Sequence, residues 1–83
     1  MRPANEPPRI PDYDERLSRT ERGRIRAAIR KIQGINHKVV LMKLISDGVA
    51  EVCCGSGSFF TTLIVKLEGD IWVVDSYETS VFQ

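Results

Sequence analysis

Residues 59–77 read Phe-Phe-Thr-Thr-Leu-Ile-Val-Lys-Leu-Glu-Gly-Asp-Ile-Trp-Val-Val-Asp-Ser-Tyr. Two runs rich in β-branched and aromatic residues flank Glu68-Gly69-Asp70, whose glycine supplies the positive φ that a tight hairpin turn demands. The stretch therefore predicts two antiparallel strands, about 59–67 and 71–77, with the residues beyond them frayed.

Working back along the chain, the same signals recur. Gly55-Ser56-Gly57-Ser58 separates these strands from an apolar run at 49–54, and Ser46-Asp47-Gly48 separates that run from another at 37–45. Upstream the period changes from two to that of a helix. Leu17, Ile25, Ala28, Ile29 and Ile32 form one stripe, Ser18 and Glu21 fit a capping box, and Gly34 suits a left-handed C-cap. The spacing predicts a helix over about 15–33, weakened at Gly23 by up to about 1 kcal/mol relative to alanine unless that glycine lets the sheet approach. Residues 1–13 hold all four prolines and read as an extended or disordered leader, with Ile10 and Tyr13 as its anchors. The fold class is α+β: one N-terminal helix packed on a four-stranded antiparallel meander, a single domain over 14–83.

The turns set a register. A two-residue loop at Asp47-Gly48 places Ile45 opposite Ala50 and Leu41 opposite Cys54. A four-residue loop at 55–58 places Cys54 opposite Phe59 and Val52 opposite Thr61. The last turn sets Val65 and Leu67 beside Trp72 and Val74. One face then carries Val39, Leu41, Lys43, Ile45, Ala50, Val52, Cys54, Phe59, Leu63, Val65, Leu67, Trp72 and Val74, and the helix should pack on it. The other face carries Val40, Met42, Leu44, Cys53, Phe60, Ile64, Ile71, Val73 and Tyr77 among polar residues. A sheet with one wet face should alternate cleanly, and this one does not. Of that set Val40, Met42, Leu44, Phe60, Ile64, Ile71, Val73 and Tyr77 are the candidate interface, and burial by a second copy or by the leader is the expectation.

Catalytic and metal-binding patterns are sparse. His37 is the sole histidine and has no serine or cysteine beside it in a recognisable motif. One His, two adjacent Cys and scattered carboxylates lack the spacing of a zinc cluster, so no metal, no catalytic residue and no cofactor is expected. Cys53 and Cys54, as neighbours on a strand, point to opposite faces and read as packing residues in a reducing compartment. The Gly-Ser loop joins two strands and lacks the lysine of a phosphate-binding loop. With no apolar run of membrane-span length and no signal-peptide pattern, a cytoplasmic protein without membrane association is expected.

Charge is more informative. Residues 1–46 hold eleven Lys and Arg against five acids, whereas 47–83 hold one Lys against six acids. Opposite halves suit head-to-tail contact within or between molecules. Arg19, Arg22, Arg26 and Arg30 form a row on the predicted helix that could track phosphates, which makes a nucleic-acid-binding protein the alternative reading. Base-reading residues and stacking aromatics are missing from that helix, and its arginines also have Asp14, Glu15 and Glu21 as potential partners.

Residues 59–77, with a Gly turn followed by Trp in the last strand, are similar to the closing hairpin of cystatin-like α+β folds, as in the ketosteroid-isomerase-like and nuclear-transport-factor-like families. The order of a helix and then four antiparallel strands also resembles the cystatin-type core. The resemblance covers under a quarter of the chain. It implies, as a third reading, a small-ligand or enzymatic domain of cystatin-like shape. The additional helices that wall the cavity in those families are missing, and no position matches a catalytic motif; Asp75 and Tyr77 share only the strand. The leading expectation is a non-enzymatic interaction or assembly module of unknown cellular role, acting as a homo-oligomer, most simply a dimer.

Overall fold

The computed structural model describes residues 12–56 and 58–81. Ile10 and the rest of 1–11, Gly57 and the last two residues lie outside them. Among the described residues one helix, α1 (Arg19–Ile29), packs on one face of a five-stranded sheet: β1 (Asp12–Tyr13), β2 (Val39–Ser46), β3 (Val49–Ser56), β4 (Phe59–Glu68) and β5 (Ile71–Val81). The spatial order follows the chain order. The α+β class holds, but the sheet is mixed and five-stranded: β1 runs parallel to β2, with Asp12 beside Leu41 and Tyr13 beside Met42, and the other pairs are antiparallel.

The helix begins where the capping box predicts. Ser18 Oγ accepts the Glu21 backbone N–H at 3.1 Å, satisfying one of the donors a helix start leaves open. Glu21 does not reach back to the cap; its carboxylate accepts Trp72 Nε1–H at 2.5 Å and pairs with Arg24 at 3.2 Å, fastening the helix to β5. The helix is shorter than the periodic stripe, starting a turn later and ending at Ile29. Gly23 faces open space rather than the sheet, so it weakens the helix without enabling a close approach.

Asp14 joins β1 to the helix. Its backbone N–H donates to the Met42 carbonyl at 2.8 Å, and its carboxylate then takes over the edge by accepting the Leu44 N–H at 3.0 Å. The same carboxylate receives the Arg16 backbone N–H and guanidinium. These donors, the Arg16 side chain foremost, hold Asp14 well below the usual carboxylate range. A carboxyl depressed on folding stabilises the native state above its unfolded pKa, and that contribution fades as pH falls through the folded pKa. We expect the stability gap between wild type and Asp14→Asn, measured by urea unfolding, to be full near pH ~5 and to shrink toward pH ~2. An unchanged gap across that range would show that the carboxylate contributes no charge-dependent stability.

Both predicted glycine turns form, with φ of 70° at Gly48 and 62° at Gly69. Val65 pairs with Val74 and Leu67 with Trp72, as the Gly69 turn predicts. Three other expectations are corrected. The 55–58 loop is shorter than predicted, because Gly55 and Ser56 belong to β3; Cys54 therefore faces Thr61, and Val52 faces Leu63. Ile45 is an extra residue: Ser46 faces Val49, but Leu44, not Ile45, faces Ala50. This bulge reverses the facing of the strand before it. Met42, wholly buried, and half-buried Leu44 turn toward the helix, while Leu41 and exposed Lys43 turn away. The predicted register would have set the Lys43 ammonium under the helix, a costly burial that the bulge removes. Asp75 is likewise extra in β5, so Tyr77 lies opposite Leu63 on the helix side, and β5 continues in register to Val81 instead of fraying after Tyr77.

The core between helix and sheet comprises Leu17, Ile25, Ala28 and Ile29 against Met42, Ala50, Val52, Cys54, Leu63, Val65 and Trp72. Thr61 is the buried polar member, and its hydroxyl meets that of Thr79 at 3.0 Å.

Candidate functional site

The first candidate is the sheet face turned away from α1. Register places Leu41, Val49, Cys53, Phe60, Ile64, Val73 and Ile71 there. Most are half-buried by one another, whereas Ile71 is 63% exposed. Polar neighbours are Lys43, Glu51, Thr62 and Lys66, with Lys66 reaching Asp75 at 3.4 Å. Both ends of that pair are about half exposed, so it adds little stability.

Of the eight predicted interface residues, Phe60, Ile64, Ile71 and Val73 do share this face. Met42 and Leu44 belong to the core side, Tyr77 to the helix side of the outer strand, and Val40 is a second extra residue in β2, between Val39 and Leu41. Leu41 is an addition that the two-residue register misses, whereas Val49 falls on this face in either register. The signal available was Lys43, a charge assigned to the core face.

The cysteines divide as alternation requires. Cys54 is buried in the core, and loss of water pushes its thiol up to about 11, so it is a poor nucleophile. Cys53 sits half-exposed on the outer face, its Sγ 3.8 Å from Thr62 Oγ1.

The second candidate is the arginine face of α1, and the structure does not leave its row free to track a backbone. Arg22 and Arg26 both lie against the Tyr13 ring, their guanidinium carbons 4.9 and 5.0 Å from its centroid, and Arg26 Nη2–H also donates to the Tyr13 hydroxyl. Arg24 pairs with Glu21 and Arg16 with Asp14. Arg19 and Arg30 remain exposed. Reversing Arg22 and Arg26 to glutamate would thus remove both contacts to Tyr13 as well as charge. Among the described residues no group of three metal-ligating side chains occurs, and no helix is long and apolar enough to cross a membrane.

His37 approaches the end of the helix, its Nε2–H donating to the Ile32 carbonyl at 2.6 Å. With Tyr13, Arg26, Ile29, Arg30 and Val39 it lines a cleft of about 170 Å³.

No protein-family model, no curated protein and no solved structure matches the chain.

Proposed function

We propose that this domain works by self-association, two copies burying their outer sheet faces against each other. The observation that carries this is an apolar set, Leu41, Val49, Cys53, Ile64, Ile71 and Val73, interleaved with Lys43, Glu51, Thr62 and Lys66 on a face where no described element packs. An apolar patch of a few hundred Å² left without a covering element marks a surface for association. Strands β2–β5 spaced about 4.8 Å apart, with eight paired residues rising about 3.3 Å each, give the whole face, polar residues included, roughly 500 Å² in projection, of the order one partner gives to a standard interface. Charges of both signs, Lys43, Glu51 and Lys66, stand among the apolar residues and can pair across a two-fold axis. The leader is a poorer cover, since Met1, Ala4 and Ile10 are its only apolar residues besides prolines before Asp12.

Cys53 reports on this face directly. Thiol labelling of the native protein should slow at Cys53 as concentration rises into the range where sedimentation shows a dimer, while Cys54 stays inert throughout. A monomer at high micromolar concentration, with Cys53 labelled at one constant rate, would refute self-association.

The nucleic-acid reading retains Arg19 and Arg30 but loses the two central members of its row to Tyr13. A steep loss of affinity with salt remains its signature.

A further inference from the structure

Away from the outer face, α1, β1 and the approach to β2 enclose the cleft lined by Tyr13, Arg26, Ile29, Arg30, His37 and Val39. No carboxylate lines it. Of the acids on the adjoining elements, Asp14 takes Arg16 and the Leu44 N–H, and Glu21 takes Arg24 and Trp72. Arg22 and Arg26 nevertheless crowd one aromatic ring. Two positive charges therefore gather at one ring. An anion would complete this arrangement.

We infer that the cleft is a binding site for a small tetrahedral oxyanion, a phosphate ion or the phosphate group of a monoester. Arg30 brings a guanidinium fork, suited to two parallel N–H···O contacts. Arg26 donates to the Tyr13 oxygen, which leaves the phenolic O–H to donate into the cleft. The His37 ring is fixed by its bond to Ile32, and Ile29 and Val39 form an apolar floor beneath these groups. The volume, about 170 Å³, equals that of roughly five or six water molecules, enough for such an anion with a short substituent.

A helix C-terminus ordinarily repels anions through its exposed carbonyls. Here several of them are covered. The Arg26, Ala28 and Ile29 carbonyls accept the N–H groups of Arg30, Lys31 and Ile32, and the Ile32 carbonyl accepts His37.

The test is titration of the full chain with inorganic phosphate, and separately with a short alkyl phosphate monoester, at constant ionic strength. Binding is followed by calorimetry and by amide and His37 ring chemical shifts. We expect saturable binding with shifts grouped around Tyr13, Arg30 and His37. Tighter binding of the ester would name a phosphomonoester as the ligand, and equal binding the free ion. Arg30→Gln, at an exposed position where the fold does not depend on it, should weaken binding about tenfold or more, and His37→Gln should also weaken it. Arg19→Gln, on the same helix but outside the cleft, should leave binding unchanged. Non-saturating shifts, or equal losses from Arg19→Gln and Arg30→Gln, would overturn the site in favour of diffuse positive charge. Sedimentation of the same samples keeps this result separate from the state of the outer face.

Discussion

Gly55→Ala is expected to remove most or all of the stability of the native fold. Gly55 has φ of 146°, where L side chains rarely go, and is buried in β3. A Cβ there would stand 2.2 Å from the Phe59 carbonyl oxygen and 2.9 Å from Phe60 Cα. Both are backbone atoms of the paired strand, so no rotamer change relieves the clash. The strand cannot simply shift away, because the Gly55 N–H donates to the Lys38 carbonyl at 2.9 Å on the other side. Combined overlap and strain place the cost at about 4 kcal/mol or more. A domain of this size has roughly 4–12 kcal/mol in total. The variant should lose its near-ultraviolet circular dichroism and its cooperative melt, or melt tens of degrees lower. Gly69→Ala, also at positive φ but with no atom within 4 Å of the new Cβ, should cost only about 1 kcal/mol. A Gly55→Ala protein as stable as Gly69→Ala would show that the β3–β4 hairpin is far looser than its pairing implies.

The contrast between the two glycines marks what can be read from the chain. Gly48 and Gly69 announce turns because each sits between apolar runs, and the capping pair Ser18 and Glu21 announces a helix start for an equally local reason. Gly55 is locally ambiguous. In Gly55-Ser56-Gly57-Ser58 it reads as flexible connection, and its role inside β3 depends on the strand beside it. The extra residues Val40, Ile45 and Asp75 are equally silent in the local sequence, since each is defined by the strand it pairs with. Alternation carried past Ile45 sends Lys43 inward and Met42 outward. The free energy of burying an ammonium group, against that of a thioether in a dry core, decides the matter the other way. The arginine row shows a similar limit. Its helical spacing is visible in the sequence, but its stacking on Tyr13 requires knowing that the end of the leader becomes an edge strand.

Met42 and Ile64, which simple alternation assigns to one face, should therefore give opposite results when charged. Met42→Asp puts a carboxylate into a site with no solvent exposure among Val52, Leu63 and helix residues, and should unfold the chain. Ile64→Lys should leave each copy folded. Ile64 stands on the outer face directly opposite Glu51, so an ammonium group there gains a cross-strand partner and keeps its head in water. In the proposed dimer the same group would meet the apolar residues of a second copy. An imperfectly paired charge there costs about 3 kcal/mol, which corresponds to roughly a hundredfold weaker association. The expected result is a protein with wild-type circular dichroism that sediments as a monomer where wild type is dimeric, with Cys53 labelled at a rate independent of concentration. Ile64→Val, which keeps the face apolar, should dimerise nearly as well as wild type. Self-association undiminished by Ile64→Lys would place the contact elsewhere, with the free edge of β5 and the exposed Phe59, Tyr77 and Val81 on its helix side as the surface to test next.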